Sequence, residues 1–506
     1  MKKSTIKTFM NFVLVKNSRN KSQTDRNLSD SVRSHNTQSS SKSKRSVIQH
    51  LYSESSAETL EQFLRIDSLK VDQPSEDFKN IIKILATESN CRSENKTSYK
   101  FDDVLKIFNS SITFTGDQRR DDFEHLFRGN RPDFTWVIED NFYPWKVVSI
   151  IEKKKNITIT PADISQMLEY LRLIVRVSPK RQYAVGCLTN YKRIIFGKAS
   201  IINDKFTYER FRSINLVEDF WKFLRCNSID LGHVKFSVPD FFKIESLLGG
   251  GTNSMVYQIA YNNNKYAMKI SNKMSKKEFD IAQEMEAYIK EYKLSVEIIK
   301  MDIKEDFVLS QPVGKMIKND DICKKEYIIQ ILNQLVIGQK VRRVHRDIRI
   351  NNIILYDNSY AYLIDWDSST SNGFKGEYEG AFITASTPVL RQYSSSKGKE
   401  VSAYYADDWM PIIYMILLSR CRKEDQVLLK SLASNSMAQD LIIDRQEILT
   451  NEAILPSQGN LEDYKQEVIN RLIEIESERE NLRDINVLHT RCMKIIEAMD
   501  KLGLIS

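Results

Sequence analysis

The spacing of apolar residues changes along the chain and divides it into helical and strand-like stretches. Between residues 50 and 127 apolar positions recur at helical spacing, as in ETLEQFLRI and FKNIIKIL, which predicts a mainly helical stretch. From residue 134, FTWVIED and WKVVSIIEKKK fit two strands joined by a tight turn at Asn141 to Pro144. After Pro161, ADISQMLEYLRLIVRV predicts a helix, followed by strand-like YAVGCLTN and RIIFGKAS. A closing helix is predicted from Leu216 to Asn227.

A second pattern begins after a short connector at 228–239. Residues from 240 to about 315 are rich in strand-like sequence, whereas residues from about 316 to 506 pass through helices and end in long charged helical stretches. A chain of 506 residues is too long for one hydrophobic core. The fold class predicted from these patterns is therefore α+β and multidomain, with an α/β domain at 50–227 and a second domain at 240–506.

The basic character of the chain is concentrated in its first fifty residues. They hold eleven Lys and Arg against two acids, a balance of +9, so the remainder sums to −1 of the total +8. Residues 1–48 are also rich in Ser and Asn, which predicts a disordered basic tail. The cluster from Lys42 to Arg45 fits either a nuclear-import or nucleic-acid patch or, more simply, a solvated tail.

Cysteine usage and hydropathy limit the cellular compartments in which the protein is expected. The six cysteines lack any short Cys-x-x-Cys spacing, which favours a reducing compartment over a disulfide scaffold and argues against a zinc site. No apolar run is long enough to span a bilayer, so no membrane partner is expected. Phe9 to Val15 faintly resembles a signal peptide, but no small-residue cleavage site follows it.

A glycine-rich turn opens the second domain. Gly249 and Gly251 lie in LGGGTNSMVYQIA, where glycine lets backbone N–H groups approach phosphate oxygens, and Val256 would pack over a nucleotide base. Lys269 on the next strand is placed to reach the α- and β-phosphates. Glu284, or less favourably Glu286, on the following helix is the expected carboxylate partner of Lys269. Taken alone, these features also fit an ordinary hairpin and a charged helix.

A denser set of polar residues follows in VHRDIRINNIIL and AYLIDWD. Asp347 can accept the proton of a substrate hydroxyl, and Asn352, five residues later, can help to hold Mg²⁺ through its amide oxygen. Arg349 between them can stabilise charge on a transferring phosphoryl group. Asp365 closes the following strand and offers the hard oxygen donor that Mg²⁺ prefers.

This ordered set resembles the eukaryotic-type protein kinases, and the fungal-type kinases most closely. The resemblance covers about 190 residues and implies a bilobal fold, ATP and Mg²⁺ as cofactors, and a protein substrate phosphorylated on Ser or Thr. Asp367 and Ser254 replace glycines of the family pattern, which keeps a pseudokinase scaffold open as an alternative. Activation by phosphorylation at Thr384, Ser386 or Thr387 is a further hypothesis.

A second constellation lies in the first domain. Asp133 begins one strand, and Glu152 and Lys154 lie on one face near the end of the next. Two acids there can hold a divalent cation, and the Lys can stabilise charge on a scissile phosphate. Gln166 and Tyr170 fall four residues apart, on one face of the predicted helix. The alternative is a solvated, lysine-rich strand end.

The order Pro132-Asp133, Glu152-x-Lys154 and Gln166-x-x-x-Tyr170 resembles the PD-(D/E)xK restriction-endonuclease-like family. That resemblance implies Mg²⁺ on Asp133 and Glu152, catalytic help from Lys154, and Gln166 with Tyr170 on a DNA-facing side. A supporting acid of that family cannot be assigned, although Glu61 and Glu124 are candidates.

The combination of a nuclease-like domain with a kinase resembles Crinkler-type effectors. It implies action in the nucleus or cytoplasm, in a host cell after secretion, although the Crinkler amino-terminal header motif is not recognisable in this chain. The alternative is a nucleic-acid-binding protein whose nuclease fold has lost cleavage and which delivers a kinase or pseudokinase to chromatin.

Overall fold

The protein is described by a computed structural model, which defines most of the chain beyond residue 51. The described residues are 52–66, 72–88, 112–115, 126–127, 132–138, 143–154, 158–203, 205–250, 254–273, 276–396, 400–434, 437–450 and 461–506. The predicted tail at 1–48, Gly251 and Glu124 lie outside these ranges. All described residues belong to one compact unit.

The first region, residues 52–232, is built on a seven-stranded mixed sheet with the order β1-β7-β6-β5-β4-β3-β2. Pairing is antiparallel except between β1 and β7 and between β4 and β5. The strands are β1 Tyr52–Glu54, β2 Ile112–Thr115, β3 Phe134–Ile138, β4 Val147–Lys153, β5 Tyr183–Thr189, β6 Ile194–Ile202 and β7 Lys205–Arg212.

Helices accompany this sheet. They are α1 Leu60–Leu64, α2 Glu76–Glu88, α3 Pro161–Val177 and α4 Leu216–Arg225. Helix α3 begins with a capping box in which Thr160 and Asp163 satisfy each other's backbone N–H groups, and Pro161 occupies its first turn. The strand pair, α3 and α4 confirm the predicted pattern, but 50–127 is not only helical, since β1 and β2 lie within it.

The second region, residues 243–506, opens with a five-stranded antiparallel sheet in the order β11-β12-β10-β9-β8, with one helix, α5, next to it. The segments are β8 Lys243–Gly250, β9 Ser254–Tyr261, β10 Asn264–Ser271, α5 Lys277–Glu291, β11 Lys300–Ile303 and β12 Phe307–Gln311.

The rest of this region is mainly helical. Its helices are α6 Lys325–Lys340, α7 Thr387–Ser395, α8 Ala406–Arg420, α9 Lys423–Ser434, α10 Ala438–Thr450, α11 Leu461–Glu478 and α12 Ile485–Lys501. Short strands lie between them at β13 Lys315–Met316, β14 Arg343–Val344, β15 Ile353–Tyr356, β16 Tyr360–Leu363, β17 Thr370–Ser371, β18 Lys375–Glu377 and β19 Glu400–Ser402. Helix α8 is buried over most of its length, which suits its apolar sequence. Within the described residues no helix is both long and apolar enough to cross a membrane.

One hydrophobic cluster joins the two regions. It contains residues of α3, such as Met167 and Leu168, together with residues of β9 and β10, such as Ile259 and Met268. The rings of Trp145 and Tyr257 meet edge to face at 5.3 Å across the same junction. The regions therefore share apolar packing in addition to the segment that connects them.

Candidate active site

Lys269 on β10 is the centre of a partly buried ion cluster. Its Nζ lies 2.8 Å from Oε2 of Glu278 and 2.8 Å from Oδ1 of Asp365. Burial alone would lower the pKa of Lys269, but the attraction of Glu278 and Asp365 outweighs it and holds that pKa above its ordinary value. The ammonium is thus kept charged at every physiological pH, and the cluster binds a strand, a helix and a loop together.

The predicted partner of Lys269 was wrong. Glu284 forms a forked ion pair with Arg343, at 2.9 Å for the closest contact, and Glu286 is exposed. Glu278 takes the role because α5 begins at Lys277, soon after β10, and this places an acid of its first turn beside Lys269. Glu278 shares the buried face of α5 with Ile281 and Met285, and that helical spacing is the signal that could have found it.

The loop that carries Asp347 is held by hydrogen bonds to Asp408 on α8. The two carboxylate oxygens of Asp408 accept the backbone N–H groups of His345, at 2.7 Å, and Arg346, at 2.9 Å. Asp408 is fully buried, so these two bonds replace its water. Asp408 therefore anchors this loop to the buried helix α8.

Asp347 is positioned by its neighbours, yet one of its oxygens stays unused. Its Oδ2 accepts a hydrogen bond from Nδ2 of Asn352 at 2.9 Å and pairs with Nη2 of Arg349 at 3.0 Å. Its Oδ1 is buried and has no hydrogen-bond partner among the described residues. Burial raises the pKa of this carboxyl group. A poorly solvated carboxylate oxygen of this kind is ready to accept a proton from a bound hydroxyl.

Asp365 is fixed by its backbone as well as by its side chain. Its φ of 68° lies in the left-handed region, and its N–H donates to Oε1 of Glu278 at 3.1 Å. The next residue, Trp366, is buried, and its ring is tilted by 57° against the His345 ring, with the ring centroids 4.6 Å apart. Although burial opposes it, the nearby Lys269 holds the pKa of Asp365 below its ordinary value, so the carboxylate is ionised.

Strand β8, which leads into the glycine-rich turn, belongs to the same sheet as Lys269. Val256 pairs with Gly249 on one side and with Lys269 on the other, so these three residues form one row across the sheet. A Cβ built at Gly249 would meet nothing within 4 Å, so the fold itself does not require glycine there. That open space suits the close approach of a phosphate.

The hypothesis of activating phosphorylation at Thr384, Ser386 or Thr387 does not fit the structure. All three side chains are buried. Ser386 caps α7 and donates to Asp407 at 2.9 Å, while the Thr387 N–H donates to Glu476 at 2.8 Å. Phosphate addition at these positions would require the segment to open.

The donors around Asp365 fit Mg²⁺. Asp365 supplies a carboxylate, and Asn352 is left with its amide oxygen because its Nδ2 already donates to Asp347. Mg²⁺ prefers such hard oxygen ligands and keeps several waters or phosphate oxygens. No group of three or more His, Cys, Asp and Glu side chains suited to a metal occurs in the described part of the chain. Any cation here would therefore need ligands from a nucleotide or from water.

The second predicted constellation also comes together, in the first region. Lys154 Nζ lies 3.3 Å from Oε2 of Glu152 and donates to Oε1 of Gln166 at 3.2 Å. Asp133 accepts the backbone N–H of Lys153 at 2.6 Å, which fixes it next to Glu152 at the end of the strand pair. The cluster thus unites two strands with α3.

Glu152 is the unusual member of this cluster. Its side chain is 2% exposed, and Oε1 has no hydrogen-bond partner in the described residues. Burial, and then the negative charge of Asp133, raise the pKa of Glu152 to about 8. At neutral pH the carboxyl group is mostly protonated, and a divalent cation bound at Asp133 and Glu152 would displace that proton.

Two details of this second site differ from the expectation. Tyr170 is 2% exposed, with its ring edge to face against Phe127, so it does not line an open DNA-facing side. Its hydroxyl instead accepts a hydrogen bond from Nε2 of Gln166 at 2.8 Å and orients that side chain. Glu61 is paired with Lys222 on α4 at 2.7 Å, which gives it a partner outside this cluster.

Comparisons with known proteins add little to this geometry. No family model matches the chain, and no curated protein matches it. Among solved structures, that of the Cydia pomonella granulovirus kinase PK-1 is similar over 50% of this chain and 95% of that chain, with 15% identity and a TM-score of 0.35. A TM-score of 0.35 is too low to carry a functional argument. The resemblances to nucleases and to Crinkler-type effectors stay predictions from the sequence.

Proposed function

We propose that this protein is an ATP- and Mg²⁺-dependent protein kinase that transfers phosphate to Ser or Thr hydroxyl groups. The observation that carries the proposal is the Lys269 cluster, in which one ammonium bonds both Glu278 and Asp365. The catalytic-loop carboxylate Asp347 lies close enough for the charge of Asp365 to raise its pKa further. Lys269, Glu278 and Asp365 are separated in sequence, so their direct contacts support a shared chemical role.

Asp347 would act on the substrate hydroxyl. Its unpaired Oδ1 accepts the hydroxyl proton while the hydroxyl oxygen forms a bond to the γ-phosphorus. The bond between that phosphorus and the bridging oxygen of ADP breaks, and ADP leaves. Because burial raises the pKa of Asp347, activity should fall as the pH is lowered through that pKa, when the carboxylate becomes protonated.

The other side chains would hold the nucleotide and stabilise its charge. Lys269 would contact the α- and β-phosphates, and Asp365 with Asn352 would hold Mg²⁺. The metal supplies charge neutralisation between the phosphate groups. The Nε of Arg349 is buried and lacks a hydrogen-bond partner among the described residues, which suits it to bind an oxygen of the transferring phosphoryl group.

The test is phosphate incorporation from labelled ATP into the protein itself and into a Ser/Thr peptide library. Asp347→Asn and Asp365→Asn keep the side-chain shapes and should abolish transfer, whereas Asp357→Asn, in an exposed turn, should not change it. Equal incorporation in all these variants would refute the proposal. If wild type binds ATP and Mg²⁺ in a thermal-shift assay but transfers nothing, the pseudokinase alternative is favoured.

A second activity is supported by the first region. We propose that Asp133 and Glu152 bind a divalent cation in a nuclease-like site, and the buried, unpaired Oε1 of Glu152 is the observation that favours it. Plasmid cleavage with Mg²⁺ should disappear in Glu152→Gln and Asp133→Asn. Glu169→Gln is a suitable control, because Glu169 on α3 pairs with Arg172 instead. DNA binding without cleavage by wild type would favour the delivery role over the nuclease.

A further inference from the structure

The end of helix α3 is closed by a side chain from the other region. The Nδ2 group of Asn272 lies within hydrogen-bond distance of three carbonyl oxygens, those of Val175 at 2.8 Å, Ser178 at 2.9 Å and Arg181 at 2.5 Å, which share its two N–H hydrogens. The last carbonyls of a helix have no partner within the helix. Asn272, which follows β10, therefore satisfies groups that belong to the first region.

Backbone contacts strengthen this junction. The N–H of Asn272 donates to the carbonyl of Arg176 at 2.9 Å, and the N–H of Lys180 donates to the carbonyl of Asn272 at 3.0 Å. The Lys180 ammonium lies 2.7 Å from Glu305 and 2.8 Å from Asp306, both in the second region. Asn272 thus uses its N–H, its carbonyl and its side-chain amide on one short stretch of the first region.

The position of Asn272 in the chain gives the junction its significance. Lys269 lies three residues before it, and Glu278, in the first turn of α5, lies six residues after it. In the sequence, Asn272 therefore lies between Lys269 and Glu278, the two partners of the 2.8 Å ion pair. A shift of the segment after β10 would move the start of α5, and with it the Glu278 carboxylate.

We infer that Asn272 is a positioning residue for phosphoryl transfer, through which the first region holds α5 so that Glu278 meets Lys269. The inference rests on the proposed kinase function. A misplacement of about 1 Å at a catalytic contact is enough to lower a rate strongly. The first region would then be a built-in requirement of the kinase and not only an appended domain.

The first experiment separates this role from a general effect on stability. Asn272→Ala, Glu278→Gln and the double variant are compared by kcat and ATP KM, with Asn264→Ala in the exposed β9–β10 hairpin as the control. We expect Asn272→Ala to reduce kcat/KM for ATP on the order of tenfold. In the Glu278→Gln background it should have almost no further effect, because both changes act through one contact. Additive losses would overturn the inference.

The second experiment does not depend on activity. Hydrogen exchange of the α5 amides, measured without nucleotide, should be faster in Asn272→Ala than in wild type and unchanged in Asn264→Ala. Unchanged exchange in α5 would refute the inference even if the enzyme is active. If the wild-type protein transfers no phosphate but α5 still exchanges faster in Asn272→Ala, only the kinase function is refuted. If Asn272→Ala does not fold, Asn272→Ser, which keeps one donor, serves in both experiments with a smaller expected effect.

Discussion

The carboxylate of Glu278 accepts the backbone N–H of Asp365 at 3.1 Å while its other oxygen bonds Lys269 at 2.8 Å. The Glu278 side chain therefore positions both Lys269, which would bind phosphate, and Asp365, which would bind Mg²⁺. A further bond, from Nζ of Lys277 to the carbonyl of Asp367 at 2.7 Å, ties the start of α5 to the same loop. The first turn of α5 thus organises the site.

Two acids on α5 provide a matched test of this role. Glu278→Gln removes the charge that balances Lys269, so phosphate transfer should fall on the order of ten- to a hundredfold. Glu284→Gln removes only a partly exposed pair with Arg343 and should leave transfer within about twofold of wild type. Initial rates with labelled ATP measure both. A larger loss of phosphate transfer in Glu284→Gln would favour Glu284, as predicted from the sequence, as the functional partner of Lys269.

Gly249 should be needed for nucleotide binding but not for folding. A Cβ at this position would meet open space in the protein, so Gly249→Ala is expected to keep the melting temperature. The same methyl group would lie where a phosphate must approach the backbone, so the ATP KM should rise several-fold. Steady-state kinetics and thermal unfolding of the same preparation measure the two effects. An unchanged ATP KM would show that this turn does not contact phosphate.

Gly338 on α6 should show the opposite behaviour. A Cβ there would lie 2.2 Å from the Trp366 ring, which packs between Gly338 and His345. Gly338→Ala must displace Trp366 or the helix, and overpacking of this kind costs about 1–3 kcal/mol. Urea unfolding should show this loss, with Gly249→Ala as the control. Wild-type stability in Gly338→Ala would mean that Trp366 is loosely held.

How far the sequence could lead is clearest around Lys269. The loop spacing that suggested Asp347, Asn352 and Asp365 is local, and the structure pairs Asp365 with Lys269 and Asn352 with Asp347. The acid that meets Lys269, by contrast, is decided by where α5 begins, and this is why Glu278 was not predicted. Helix boundaries are weakly encoded in local sequence. The helical spacing of Glu278, Ile281 and Met285 was the one available clue.

The junction between the two regions could not be predicted from the sequence. Asn272 has no periodicity or motif around it, and its partners are carbonyl groups, which every residue carries. The residues of β9 and β10 that pack on α3 read as ordinary strand residues. Long-range pairing of this kind leaves no local pattern. Strand β7 was also missed, since alternation in KFTYERFR is partly hidden by its charged residues.

Glu152 gives a prediction about pH. Its pKa is about 8 in the folded protein and near 4.5 in an unfolded chain, so between these values the folded state holds a proton that the unfolded state has released. Stability therefore falls as the pH rises through this window, by at most about 1.4 kcal/mol for each pH unit. Glu152→Gln cannot lose a proton, and its free energy of unfolding should depend less on pH between 5 and 8.

Urea unfolding at several pH values measures this difference, and a divalent cation supplies the control. If Asp133 and Glu152 bind Mg²⁺ or Mn²⁺, the cation displaces the proton from Glu152 and stabilises the folded state more at pH 8 than at pH 6. Glu152→Gln should lose this cation effect, while Glu169→Gln on α3 should keep it. A cation effect that is equal at both pH values, or that survives in Glu152→Gln, would place the bound metal elsewhere. The pH dependence of the cation effect thus tests the metal site without requiring that the protein cleave DNA.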